Sequence, residues 1–500
     1  MHVSHKIIPS TLKFFTMKKL LLSLFTICLL PSSILHCFGQ FSSQNITLLS
    51  HWDTVSTIAE PIYNIRYNSV WGWKDPQDNK EYAILGSTDG TYFIDVTIPT
   101  APVVKDFVVG PRDSCIWREY KTYQNYLYMV SDDQVKGNNR NALQIIDLSP
   151  LPDSVHVVYD ADTLIVRSHT VMIDGDKMYC GYVHYDKTNF GNYYSMAVYS
   201  LANPVLPVFL RSLNQDDPSI GVVHDMFCRN DTVYASCGNS GLYIYKLTAS
   251  NTFSPMGSVT NYEPGGAYNH SVALTQNGKA VIFCDEQPPN LKVKSLDVSN
   301  FSNLTIVDKF QSYAGTTATP HNIFIREGNN SRVTIAYYQD GVQIFDISNP
   351  ASVTRTGFFD CAPTNCPACP NPNYSGCWGT YVDLPSGIIL ASDMQDGLFV
   401  LDASAALNTV QNIVNEVSVD VFPNPFTTNF QLNFSLAAAE KISYELADIT
   451  GKIIMRKEIS VPAGKSPLTI DGKNLSSGAY MLTVKGETIS LTKKIIKTNK

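Results

Sequence analysis

One phrase recurs along the chain: a turn, a short apolar strand closing on Asp, then a polar residue or two. It reads TYFIDVTIP at 91–99, LQIIDLSP at 143–150, MAVYSLANP at 196–204 and LYIYKLTAS at 242–250. It continues as VKSLDVSN at 293–300, VQIFDISNP at 342–350 and LFVLDASAA at 398–406. The register position is Asp95, Asp147, Ser200, Lys246, Asp297, Asp346 and Asp402, at successive spacings of 52, 53, 46, 51, 49 and 56. Seven units at this interval are too long for heptads or hairpin arrays. Each must be a supersecondary module that buries its apolar face against the next copy.

The remainder of each unit is also strand. Two apolar runs joined by a tight turn precede each phrase, as in HTVMIDGDKMYCGYV at 169–183 and HSVALTQNGKAVIFCDE at 270–286. Asp174-Gly175 and Asn277-Gly278 are hairpin turns, because those residues tolerate positive φ. A fourth run follows, as in APVVKDF at 101–107 or LTIVDKF at 304–310. Helical periodicity is nearly absent. Four strands repeated seven times predict an all-β, seven-bladed β-propeller over 40–402. The last unit has no fourth strand of its own. The segment 46–53 (ITLLSHWD) is expected to complete it, removing the edge an open ring would expose.

The ends differ from this body. Lys18 and Lys19 precede an apolar run from Leu20 to Leu30. With the small residues that follow, this reads as a signal peptide over 1–39. No other apolar run approaches the roughly 18 residues of a spanning helix, so the mature chain is expected to lack a transmembrane segment. Residues 403–416 read as a linker. Residues 417–500 carry alternating runs separated by turns and predict a small Ig-like β-sandwich.

Charge excludes one class of partner. Residues 1–40 hold four Lys and no acid, and 417–500 hold 11 basic and 7 acidic residues. The body, 41–416, holds 22 basic and 37 acidic residues, a net acidic balance that repels a nucleic-acid backbone.

Two stretches carry resemblances. The C-terminal segment contains Phe422-Pro423-Asn424-Pro425-Phe426, then Asp448-Ile449-Thr450-Gly451-Lys452, then Leu475 to Tyr480 with Gly478, and a basic tail from Lys493 to Lys497. It resembles the sorting domain of the type IX secretion system of Bacteroidota. That resemblance implies the secretion machinery as a partner, and release or attachment at the outer surface. The body resembles the LVIVD-repeat propellers, in particular the choice-of-anchor B family, through its blade phrases, Val70-Trp71-Gly72-Trp73 and Trp117-Arg118. Ser200 and Lys246 depart from its repeat Asp. The family implies an architecture and an address, with no settled activity.

One positional pattern points to a site. The innermost strand of each unit begins with Trp71, Trp117-Arg118, His169, His224, His270, His321 or Trp378. The four histidines recur at intervals of 55, 46 and 51, matching the repeat. Equivalent positions in a propeller form a ring at one face, a concave set of convergent polar groups suited to a ligand. The competing reading is that these histidines cap strands by bonding a neighbouring blade. About the expected turns, His270 faces Asp285 and His224 faces Cys237. His224, His270 and Asp285 are therefore candidate ligands for a divalent metal.

Nine cysteines follow the signal segment. Cys361, Cys366, Cys369 and Cys377 form a cluster in a Pro- and Asn-rich insertion. In a secreted chain that pattern predicts two disulfides, with three connectivities open and a zinc knot as the alternative. The other five are expected to be buried thiols. No phosphate loop, nucleophile elbow or acid–base motif is present. The sequence therefore favours an exported binding scaffold for a glycan or protein over an enzyme. The alternative is a metal-dependent hydrolase or lactonase-like activity on the histidine-bearing face.

Overall fold

The structure, a computed structural model, describes residues 41–111, 114–132, 143–189, 191–328, 331–362, 374–407, 418–436, 439–462, 464–486 and 489–498. The signal peptide read over 1–39, and Cys366 and Cys369, lie outside them. Among the described residues no helix is long and apolar enough to cross a membrane.

The chain is almost entirely strand. Seven sheets follow one another up to residue 402, each with at least four antiparallel strands. Their first strands are Tyr67–Lys74, Arg118–Tyr123, Thr170–Asp174, Asp225–Arg229, Tyr268–Leu274, Ile323–Phe324 and Cys377–Tyr381. The seventh sheet takes its outermost strand from the N-terminal segment: Thr47–Trp52 pairs with Gly397–Asp402, Thr47 opposite Asp402. A second N-terminal strand, Ser43–Gln44, adds a fifth to the sixth sheet through Ser43 opposite Phe359.

Neighbouring sheets stack on apolar faces, and the stacking closes on itself. The third and fourth sheets share a core containing Tyr179, Val198, Met226 and Val233. The sixth and seventh share Ile344, Phe359, Ile389 and Phe399. The seventh and first share Leu390, Val400, Val70 and Leu85. Middle strands such as Glu81–Ser87 and Ile389–Asp393 are accordingly buried along their whole length. The outer strand His156–Ala161 alternates exposed and half-buried residues, as a one-faced strand must. Cys115, Cys180, Cys228, Cys237 and Cys284 are all buried.

The repeat Asp has a local cause. Each ends a third strand and accepts the main-chain N–H two residues on: Asp95 from Thr97, Asp147 from Ser149, Asp297 from Ser299, Asp346 from Ser348 and Asp402 from Ser404, at 2.8–3.0 Å. These are Asx turns that end the strand and reverse the chain. Ser200 does the same for Ala202 through its hydroxyl. Lys246 cannot, and its ammonium instead reaches the Asn230 carbonyl.

The stretch expected as a linker begins inside the body. Ser404–Leu407 is a helical turn, with Ala406 and Leu407 buried against the sixth and seventh sheets. Beyond it, a three-stranded sheet (Ser418–Phe422, Asn429–Leu436, Gly464–Asp471) and a four-stranded sheet (Ile453–Val461, Glu440–Asp448, Gly478–Lys485, Ser490–Lys497) enclose one core. Phe430, Leu432 and Phe434 of the first meet Ile442, Leu446, Leu482 and Ile495 of the second.

Candidate functional site

All seven first strands contribute to one cavity of about 170 Å³. Trp71, Glu119, Lys121, His169, His224, Asp225, His270, His321, Trp378 and Tyr381 line it. The four histidines form a continuous arc. Ring centroids are 4.1 Å apart from His169 to His224, 4.3 Å to His270 and 4.4 Å to His321, with Trp378 a further 4.8 Å on. A second cavity of about 260 Å³ shares His169 and His224 and adds Trp117, Asp132, Arg167, Tyr182 and Tyr268.

The outer nitrogens of the arc are mostly committed. His270 Nδ1 donates to the His321 carbonyl at 3.0 Å, and His321 Nδ1 to the Trp378 carbonyl at 2.6 Å. A carbonyl oxygen only accepts, so both rings carry their proton on Nδ1 and keep a lone pair on Nε2. His169 Nδ1 bonds Asp132 at 2.8 Å, and Asp132 also faces Arg167 at 3.4 Å. The buried His224 ring meets the His270 main chain, the same contact that His270 makes to His321, one sheet earlier. Capping of the neighbouring sheet and presentation of a lone pair inward are thus two ends of one ring.

Burial sets the charges. It holds His224 and His270 well below the usual histidine range, helped by their neighbouring rings, and His321 down to about 3. His169 is also buried, but Asp132 outweighs this and raises it. At neutral pH the arc therefore holds three uncharged imidazoles beside one that favours its proton.

Other residues lining the cavity carry ionisable groups. Glu119 accepts from Ser69 Oγ at 2.9 Å and from Trp378 Nε1 at 3.4 Å. Lys121 lies 4.2 Å from the Trp71 ring centroid, a cation–π contact. Asp225 accepts from Thr170 Oγ1 at 3.1 Å. Burial raises both carboxyls and pulls the lysine down.

Several expected residues are placed differently. Arg118 does not reach the cavity. It is fully buried and donates to the Ser87 and Thr88 carbonyls of the preceding sheet at 2.9 and 3.1 Å. Side chains alternate along a strand, so Glu119 and Lys121 face inward where Arg118 and Tyr120 do not. That period-two signal was available in the sequence. Asp285 also turns away. A bulge pairs it with Asn269 instead of His270, and it meets Lys294 and the Tyr262 hydroxyl. The carboxylate facing the histidines is Glu286, with Oε2 4.0 Å from His270 Nε2. His224, expected opposite Cys237, donates its main-chain N–H to the Ser236 carbonyl, and the Cys237 thiol points to the Ala235 carbonyl in an apolar core. Trp117 lines only the second cavity.

Cys361 and Cys377 are free, buried and side by side, with the Cys361 thiol hydrogen-bonded to Cys377. A larger cavity, about 590 Å³, lies away from the arc between the fifth and sixth sheets. Its acids are already satisfied: Asp340 takes the Ser312 and Thr316 hydroxyls, and Asp360 the Ala362 N–H. It offers less free chemistry than the smaller histidine cavity.

In the C-terminal segment the motif residues build turns. Asp448 Oδ1 accepts from Thr450 N, Thr450 Oγ1 and Lys452 N at 2.9, 2.6 and 3.1 Å. Gly451 sits at φ +86°, where a side chain would be strained. Asn424 brackets the last strand, donating to the Lys494 carbonyl at 3.0 Å and accepting from Ile496 N at 2.9 Å. Tyr480 donates to the Ser476 carbonyl at 2.6 Å. Residues 420–498 match the family described as Secretion system C-terminal sorting domain. The protein is secreted or displayed at the cell surface. Through this domain it meets the secretion machinery.

No curated protein matches the sequence. Among solved structures the chain is similar to PorZ, a surface component of the type IX secretion system of Porphyromonas gingivalis, at 12% identity and TM-score 0.36, over 85% of this chain and 64% of that one. It is similar to the Swd1 β-propeller domain of Myceliophteria thermophila at 11% identity and TM-score 0.46, over 71% and 98%. It is also similar to the periplasmic gluconolactonase PpgL of Pseudomonas aeruginosa at 9% identity and TM-score 0.45, over 81% and 99%. At these values the likenesses carry no argument about activity.

Proposed function

We propose that the protein is an exported binding module: a seven-bladed β-propeller of the LVIVD-repeat, choice-of-anchor B kind, delivered by an Ig-like sorting domain, whose ligand enters the cavity at the histidine arc. A signal peptide over 1–39 would start that route. The supporting observation is the convergence of all seven first strands on one polar, aromatic-walled cavity. Such a set of buried, partly unsatisfied groups is costly to fold around unless something uses it. Its volume lies below the roughly 300 Å³ of the smallest drug-sized sites, so the ligand is an ion or a very small polar molecule. A glycan or protein partner would touch only the rim. Cys361 and Cys377, adjacent in an exported chain, are read as a disulfide pair.

The test is a thermal-shift screen of the purified chain against monosaccharides, small amines, amino acids and divalent ions. One class should raise the melting temperature of wild type and fail to do so for Glu119→Gln or Lys121→Met. No shift from any class would overturn the reading.

A further inference from the structure

We propose that His224, His270 and Glu286 hold a divalent transition-metal ion, for which zinc is the natural probe. The proposal rests on the binding-module reading and names what is bound: His224 and His270 line the cavity, and Glu286 stands beside it, 4.0 Å from His270. One donor atom from each of the three residues lies within 4.8 Å of the others. They come from the fourth and fifth sheets, so the ring of sheets, not one flexible loop, fixes their approach. Two imidazoles and a carboxylate are an established zinc donor set that leaves a position open for water or ligand.

Three further observations point the same way. First, the His270 Nδ1 bond to the His321 carbonyl leaves Nε2 as the free lone pair, the orientation metal-bound histidines take from their outer partners. His224 is buried in the same way, its ring 4.3 Å from that of His270 and its own contact made to the His270 main chain. Second, Glu286 is oriented by the Tyr338 hydroxyl, which donates to Oε1 at 2.9 Å and leaves Oε2 towards His270. Third, Glu286 has no lysine or arginine ion-pair partner among the described residues, whereas Asp285 beside it has Lys294. The other neighbours of Glu286 are the Tyr338 and Tyr374 hydroxyls and the imidazoles, so no described lysine or arginine balances its charge.

The donors are spread wider than the roughly 3.4 Å between ligands around tetrahedral zinc with bonds near 2.1 Å. Side-chain rotation of about 1 Å closes the set.

The experiment uses the untagged full chain, stripped with a chelator, titrated with zinc by calorimetry and analysed for bound metal after dialysis. About one equivalent should be retained, since three protein ligands define one site. Glu286→Gln and His270→Gln should each weaken binding beyond the roughly 10–100-fold typical of changes to outer-shell partners. Circular dichroism and melting of the stripped variants separate lost ligation from lost folding. Glu286→Gln preserves shape and carries the test if His270→Gln does not fold. Wild-type protein that retains no zinc overturns the proposal, as does a folded Glu286→Gln that binds like wild type. If stripped protein still shows a thermal shift with a small organic ligand, the binding-module reading stands and only the metal falls.

Discussion

His270 Nδ1 lies 3.0 Å from the main-chain carbonyl of His321, its counterpart on the next sheet, and His321 repeats the contact to Trp378 at 2.6 Å. Each ring stitches its sheet to the following one. His321→Leu removes one stitch, but the Trp378 carbonyl keeps a second donor, Asn322 Nδ2 at 3.1 Å. The expected loss is therefore about 0.5–1.5 kcal/mol, that of one hydrogen bond whose acceptor stays satisfied. Urea midpoints of wild type and variant measure it, and unchanged stability would mean the stitch contributes nothing.

This arc was legible in the sequence because its period is the repeat's period. Four histidines at blade spacing must meet wherever equivalent positions meet. What was not legible is which neighbours share their side of the strand. Arg118 drew attention as the charged residue beside Trp117, yet alternation sends it between sheets and brings Glu119 and Lys121 inward. The choice between Asp285 and Glu286 turns on a bulge at Asn269–Ser271, which shifts the pairing by one residue. No turn motif announces that bulge. The closing strand was readable for the converse reason: the last unit lacked a strand and the N-terminus had one to spare.

Lys294 and Asp285 form an ion pair in which neither side chain is exposed, with Glu263 3.0 Å from the same ammonium. Lys294→Met strands a buried carboxylate against the Tyr262 hydroxyl. The expected cost is about 3–5 kcal/mol, the penalty for leaving one buried charge unpaired. Adding Asp285→Asn to that variant should recover part of it. Denaturant unfolding of wild type, single and double variants gives the comparison. A double variant no more stable than the single one would show that the pair's charge is not what matters.

Cys361 and Cys377 frame an insertion of 15 intervening residues. Closing a loop of that size by a disulfide restricts the unfolded chain by about 3 kcal/mol. Protein recovered outside the cell should give a linked Cys361–Cys377 peptide on non-reducing mass mapping. A Cys361→Ser/Cys377→Ser variant should melt lower than wild type, and reductant should narrow the difference. Recovery of both as free thiols, with no effect of reductant, would return them to the class of buried apolar cysteines.

The turn at Asp448 depends on three hydrogen bonds to one carboxylate oxygen. It lies within the segment that matches the sorting family. Removal of 418–500 should abolish appearance of the protein at the cell surface and in the medium. Asp448→Ala should reduce it while leaving total expression unchanged. Immunoblots of fractionated cells and medium decide the matter, and normal export of the truncated chain would refute the assignment of address to this domain.

Asp393 ends the second strand of the seventh sheet, beside the Cys361 thiol. Burial, and then the neighbouring Asp396, push its carboxyl up to about 7. The unfolded chain releases this proton near pH 3.9, so between about pH 4 and 7 the folded protein holds a proton that the unfolded one has lost. The contribution to stability is fully present below the unfolded value and is lost as pH rises through the folded one. The slope is at most about 1.4 kcal/mol per pH unit. Asp393 Oδ1 also accepts from the main-chain N–H of Gln395 and Asp396 at 2.9 and 3.0 Å, contacts that an amide oxygen keeps. Asp393→Asn should therefore preserve the turn, flatten the decline between pH 5 and 8, and match or exceed wild type at pH 8. Urea unfolding of both proteins at the two pH values tests this, and parallel pH dependence would show that Asp393 titrates at its ordinary value.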